Sequence, residues 1–287
     1  MKFLTLNDGN KMPILGYGVY QIPPEQTQKC VEDAIGVGYR SIDTAQAYFN
    51  ENGVGNAVNS AIKGGIKRSE FFITTKIWVS NATESGVLRS FETSMKKLGL
   101  EYLDLLLIHQ PFNDIYGAWQ AMSRLKKEGR IRSIGVSNFY PDRIVDFAMN
   151  NEIKPAINQI ECNPFNQRVL DCESAREFGI TIESWASFGE GRNDIFNNQI
   201  LKKIGENHGK SVAQVILRWL IQRNIVVIPK TTSIERMREN FSVFDFELSD
   251  DEIKTIAKMD EQRTLFGEFH HQSPKTAKML NSWKIDD

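Results

Sequence analysis

The run Leu103-Asp104-Leu105-Leu106-Leu107-Ile108, closed by His109-Gln110-Pro111, reads as a nearly unbroken apolar strand that stops at a polar residue. Runs of this kind suit parallel strands covered by helices. Ile225-Val226-Val227-Ile228, followed by Pro229-Lys230, repeats the pattern. Working outward, strands are expected near 16–19, 40–43, 71–75, 103–108, 131–136, 156–160, 180–185 and 225–228. Helical patterns lie between them at about 25–36, 53–63, 84–98, 115–128, 141–150, 168–178, 211–223 and 233–240, with polar starts at Thr83, Ser211 and Ser233. Eight strand-helix units predict an α/β fold, a closed (β/α)8 TIM barrel.

An N-terminal β-hairpin precedes the units, with Phe3 to Leu6 and Met12 to Leu15 joined by a tight turn at Asp8-Gly9, the pair expected to supply its positive φ angles. Two extra helices are expected at about 198–207 and 249–258, the second followed by a Phe/His/Lys tail. No linker or low-complexity tract divides the chain, so 1–287 reads as one domain. An open doubly wound sheet is the alternative, but no strand feeds a G-x-G-x-x-G turn.

Composition narrows the function classes. Thirty-five basic and thirty-six acidic residues leave a formal charge of −1, so no global field points to nucleic acid or an anionic membrane. No apolar run approaches the roughly 18 residues of a membrane span, and no export signal is visible. Cys30, Cys162 and Cys172 form neither a disulfide framework nor a thiolate zinc pattern, which makes a reducing cytoplasm the expected location.

Barrel chemistry gathers at the carboxyl ends of the strands. Those ends carry Asp43, Lys76, His109, Ser137-Asn138, Asn158-Gln159, Trp185 and Lys230. Tyr48 lies five residues beyond Asp43 on the loop leaving the same strand. A phenol with a pKa of about 10 is a weak acid at neutral pH, and a neighbouring ammonium lowers that value. Lys76 can supply the ammonium, Asp43 its counter-charge, and His109 a hydrogen bond to a carbonyl oxygen. Taken singly, the same residues read as a structural ion pair, a rim aromatic and a capped strand end. Metal binding finds no cluster of ligands, with His208, His270 and His271 on late segments. A glycoside hydrolase would need Glu161 or Glu183 to pair with Asp43.

Across essentially its whole length the chain resembles the aldo-keto reductase family, in particular the bacterial diketogluconate reductase and prostaglandin F synthase-like branch. The resemblance rests on GYRSIDTAQAYFNENGVG from Gly38, TTKIW around Lys76, LLLIHQP around His109, GVSNF from Gly135 and IPKTTSIERMREN from Ile228. It implies a catalytic set of Asp43, Tyr48, Lys76 and His109, with Tyr48 protonating the carbonyl oxygen while a nicotinamide delivers hydride. It further implies that Ser137, Asn138 and Gln159 bind the carboxamide and that Trp185 stacks on the ring. Lys230, Thr231 and Arg236 match positions for the 2′-phosphate of NADPH, and Glu239 and Asn240 match positions near adenine. The family pattern departs at Ala186-Ser187-Phe188-Gly189, where many members have Ser-Pro-Leu-Gly; Phe188, Gly189 and Arg192 remain candidate contacts.

Tyr20, Trp78, Phe112 and Trp119 are candidates for an aromatic substrate wall beside His109 and Gln110, although Trp119 lies within a helical pattern that favours the core. The expected function is NADPH-dependent reduction of a small aldehyde, ketone or keto sugar by a monomer, with no metal. A keto acid and methylglyoxal are both admissible substrates. A barrel that binds the cofactor without catalysis is the alternative from another class.

Overall fold

The computed structural model of the chain describes residues 2–285; positions 1, 286 and 287 of the span read as one domain lie outside the described residues. The chain opens with an antiparallel hairpin of β1 (Phe3–Thr5) and β2 (Lys11–Pro13). Its turn differs from the expectation: Leu6 N donates to Asn10 O and Gly9 N to Leu6 O, and positive φ occurs at Gly9 (84°) but not at Asp8. Such a loop is a type I turn relaxed by one glycine, so it needs left-handed backbone at a single position.

Eight parallel strands then follow in chain order: β3 (Tyr17–Gly18), β4 (Ser41–Asp43), β5 (Phe72–Ile77), β6 (Leu103–Ile108), β7 (Ile131–Ser137), β8 (Ile157–Glu161), β9 (Thr181–Trp185) and β10 (Val226–Val227). Each overlaps a strand expected from sequence. The seam between first and last strands closes through Gly16 N to Val227 O at 2.8 Å and Val227 N to Ile14 O at 3.0 Å. A Cβ on Gly18 would stand 2.8 Å from the carbonyl oxygen of Ile228, so glycine is what permits the approach.

The helices in chain order are α1 (Pro24–Val37), α2 (Glu51–Lys63), α3 (Glu84–Leu98), α4 (Ile115–Lys127), α5 (Pro141–Met149), α6 (Val169–Glu177), α7 (Gln199–His208), α8 (Val212–Gln222), α9 (Ile234–Phe241), α10 (Asp250–Ala257) and α11 (Pro274–Ser282). Helix starts fall where the polar residues predicted them: Thr83 accepts from Gly86 N, Ser233 accepts from Arg236 N, and Ser211 forms a reciprocal box with Gln214. The expectation of two extra helices is corrected to three among the described residues, because the tail forms α11. One apolar layer joins helices to strands. A second fills the barrel, where Phe72, Leu105, Leu107, Ile157 and Val226 meet Leu6 and Met12 of the hairpin. The hairpin therefore plugs the floor and leaves the carboxyl ends of the strands as the mouth.

Candidate active site

Alternate residues of a strand face the barrel interior. Along β5 that face runs Phe72, Thr74, Lys76, and along β6 it runs Leu105, Leu107 and then His109 just past the strand. On β8 it carries Ile157 and Gln159, and on β9 Glu183 and Trp185. The interior thus turns from apolar to polar one layer above the plug. Parallel register sets Asp43 beside Thr74 and Gln159 beside Glu183.

Lys76 is fully buried, and its Nζ donates to Asp43 Oδ1 at 2.5 Å, to Thr44 O at 2.9 Å and to Tyr48 Oη at 3.3 Å. Burial opposes the ammonium, but Asp43 beside it holds the Lys76 pKa above its ordinary value. Tyr48 departs from the expectation that Lys76 would make it a stronger acid. Burial pushes its phenol up to about 12, and the opposing pull of Lys76 offsets this only in part. His109 lies edge-on to Tyr48 with ring centroids 5.6 Å apart. Burial, and then Lys76, hold its pKa well below the imidazole value, so the ring is neutral at pH 7. Its Nδ1 is buried with no hydrogen-bond partner among the described residues. An orphaned N–H is a rarer deficit than an orphaned acceptor, which favours the tautomer carrying hydrogen on Nε2.

The other expected residues fall into two groups. Around the mouth, Ser137 Oγ donates to Gln159 O at 2.8 Å, and Asn138 Nδ2 donates to His109 O at 3.2 Å and to Gln110 Oε1 at 3.3 Å. Asn138 holds left-handed backbone (φ 64°) and accepts from Trp185 Nε1 at 2.9 Å. Gln159 Nε2 donates to Asp43 Oδ2 at 2.9 Å and to Glu183 Oε2 at 2.8 Å. Two carboxylate acceptors fix that amide's orientation and leave its Oε1 without a partner among the described residues. Asn158 is turned away, donating to Phe139 O at 2.7 Å.

Farther out, Lys230 and Arg236 are exposed and make no ion pair among the described residues. Thr231 O accepts from Tyr17 Oη at 2.6 Å, which anchors the segment before α9. Ser211 Oγ donates to Glu239, and Asn240 is buried. Phe188 meets Phe196 at 5.6 Å, Arg192 lies over Phe266 at 4.9 Å, and a Cβ on Gly189 would strike Leu265 at 2.5 Å.

Of the proposed aromatic wall, Tyr20 meets Tyr48 at 4.9 Å, Trp78 meets His109 at 5.2 Å, and Phe112 packs into the cluster that holds Trp78. Trp119 is not among them: it is buried on α4, packs edge-on to Phe147 and donates to Ile153 O. Gln110 Oε1 accepts from Asn138 Nδ2.

Sequence reading missed what the tail contributes. Trp78 Nε1 donates to Trp283 O at 2.8 Å with the indoles 4.5 Å apart, while Leu280 and Phe269 join the Trp78 cluster. Phe266 meets Trp185 at 5.3 Å, and buried His271 packs against Phe269 and Tyr140. Glu183, in sequence a candidate hydrolase acid, belongs to the site's polar layer, and the signal for that place is that it shares a strand face with Trp185.

A family model described as the Aldo/keto reductase family matches residues 14–261. The methylglyoxal reductase DkgA of Yersinia pestis is 42% identical over 261 residues, covering 90% of this chain and 92% of that protein. The 9,11-endoperoxide prostaglandin H2 reductase of Trypanosoma cruzi is 40% identical over 269 residues, covering 92% and 94%. Among solved structures, a Bombyx mori aldo-keto reductase in complex with NADP superposes with a TM-score of 0.90 at 32% identity, covering 96% of this chain and 98% of that one.

Proposed function

The chain belongs to the aldo/keto reductase family, and from that membership we propose that it reduces small aldehydes and ketones to alcohols with NADPH, Tyr48 donating the proton. The observation that carries this reading is the fully buried ammonium of Lys76, clasped by Asp43 at 2.5 Å and reaching the Tyr48 hydroxyl at 3.3 Å. A phenol at about 12 is still a stronger acid than water, at about 15.7, so Tyr48 Oη can pass its proton to an oxygen that is becoming an alkoxide. Lys76 stabilises the phenolate left behind, and Asp43 keeps Lys76 charged. Neutral His109, with hydrogen on Nε2, donates to the same carbonyl oxygen and orients it toward Tyr48.

The residues present suit a nicotinamide dinucleotide. Gln159 Oε1 is free to accept from a carboxamide while its Nε2 is fixed. Asn138 locks the Trp185 indole N–H, setting an aromatic surface beside the mouth. Exposed Lys230 and Arg236 lack acidic partners among the described residues, which leaves both cations available to a 2′-phosphate. When bound, the reduced nicotinamide supplies the hydride. The aromatic Tyr20, Trp78 and Phe112 would line the carbonyl compound's side, and a keto acid or a small reactive aldehyde fits that chemistry. We take the chain to act as one domain and as a monomer in the cytoplasm; no described helix is long and apolar enough to cross a membrane, and the three cysteines are free.

The test is NADPH consumption against a panel of aldehydes, ketones and keto sugars. Tyr48→Phe should lower turnover about 10²–10⁴-fold while NADPH still quenches tryptophan fluorescence with unchanged affinity. Wild-type turnover in Tyr48→Phe would end the assignment.

A further inference from the structure

Glu183 has no task in that reaction, yet it is fully buried in the middle of β9 at the polar layer of the barrel. The groups facing it are few. Across β8 it meets Gln159 Nε2 at 2.8 Å, and the same nitrogen reaches Asp43 of β4 at 2.9 Å. Lys76 of β5 is the cation of this group and is already paired with Asp43 at 2.5 Å, with Tyr48 beyond it. On the other flank β10 offers Val226 and Val227, which do not ionise. Glu183 Oε1 has no hydrogen-bond partner among the described residues. Two buried carboxyls therefore share one ammonium and one amide, and the cluster is electrically balanced only when one of them carries a proton. Asp43 has the ammonium in contact, so the proton belongs to Glu183. Burial, and then Asp43, push the Glu183 carboxyl up to about 8.

We propose that Glu183 is a positioning residue with two states: neutral, it anchors the Gln159 amide; ionised, it supplies the counter-charge to a cationic nicotinamide ring. The protein then binds oxidised cofactor with release of a proton to solvent and reduced cofactor without it. This rests on the reading that Gln159 and Trp185 hold the nicotinamide end. The physical basis is that the oxidised ring is positive and the reduced ring neutral, while the rest of the dinucleotide is common to both. A cation brought near a buried acid favours its ionised form, and linkage makes the converse hold.

The experiment measures dissociation constants of NADP+ and NADPH on the full chain from pH 6.5 to 9.5 by tryptophan fluorescence. Titration of the shared 2′-phosphate cancels in their ratio. His109 titrates well below this window, while Tyr48 at about 12 and Lys76 titrate above it. NADP+ should gain about tenfold on NADPH as the pH rises, the equivalent of one pKa unit of coupling. Glu183→Gln, which keeps the shape and removes the proton site, should flatten the ratio. Calorimetry in two buffers of different ionisation enthalpy should show proton release near pH 7.5 for NADP+ in the wild type and none for NADPH. A flat wild-type ratio, or a slope that survives in Glu183→Gln, overturns the inference and leaves the reductase reading standing. Failure of either dinucleotide to bind overturns both.

Discussion

At the foot of β6, Asp104 has both carboxylate oxygens answered: Arg68 Nη2 at 2.7 Å and Ile73 N at 3.0 Å on one, Arg132 Nη1 at 3.1 Å on the other. Arg68 also donates to Phe71 O and Tyr102 O and stacks on the Tyr102 ring at 4.1 Å. At the mouth, among the described residues, Glu183 Oε1 and His109 Nδ1 are buried without partners, and the hydroxyl of Tyr48 has only Lys76 at 3.3 Å. Both ends bury charge, but the floor answers both oxygens of Asp104 and leaves only Arg68 Nε of that group buried and unpaired among the described residues, whereas the mouth leaves an acid, an imidazole and a phenol with capacity unspent. Completed networks rigidify, whereas unpaired polar groups are tolerated where another molecule is to meet them.

The sharpest way to break this comparison is to remove one charge from each end. Lys76→Met should cost about 10²–10⁴-fold in carbonyl reduction, because Tyr48 loses the ammonium that stabilises its phenolate. Asp104→Asn should leave the rate within about threefold but cost about 2–3 kcal/mol of stability, less than for a fully buried pair because Arg132 reaches water. Steady-state kinetics and urea denaturation of both variants decide it. A catalytic loss in Asp104→Asn as large as that in Lys76→Met, with stability unchanged, would erase the distinction.

The strands and the strand-end places of Asp43, Lys76 and His109 were legible in sequence for a shared reason. β-branched and leucine runs such as Leu105 to Ile108 mark strands whatever surrounds them, and the residue that ends each run must stand at the mouth. The tail was not legible. In α11 only Thr276 and Leu280 are buried, too few apolar positions for a periodic signal, and the segment docks through contacts 205 residues away in sequence, Trp283 on Trp78. The stretch 189–197 carries no local signal of its backbone: Glu190, Asn193 and Asp194 hold positive φ, and the aromatic contacts there join Phe188 to Phe196 and Arg192 to Phe266. Tyr48 shows the limit of counting charges, since which of burial and Lys76 prevails depends on depth.

Arginine sharpens the comparison at the rim. Arg68 and Arg132 are committed to Asp104, while Arg236 at the start of α9 is exposed with no acidic partner among the described residues. Arg236→Ala should weaken NADPH binding about 10–100-fold, the worth of one or two charged hydrogen bonds, and leave NADH binding unchanged. Equal losses for both cofactors would mean that Arg236 holds something common to them rather than the phosphate.

The segments that cover the two ends should part company in acid. At the floor, burial raises the Asp8 carboxyl, but hydrogen bonds led by that from Lys126 hold it below its ordinary value. A depressed carboxylate contributes stability that is lost only as pH falls below its unfolded pKa of about 3.9. At the mouth, burial drives the His271 imidazole down to about 3, so the released tail binds a proton that the docked tail refuses. Docking is therefore strongest above pH 6.5 and weakens as pH falls, by about 2 kcal/mol at pH 5 for a group with an unfolded pKa near 6.5. Hydrogen exchange at pH 7 and pH 5, corrected for intrinsic rates, should show lost protection over 265–285 while 3–13 holds. His271→Gln should remove that difference. Protection of the tail that stays level between the two pH values would mean that the Trp78 and Trp283 contact, rather than the neutral histidine, sets how firmly the mouth is covered.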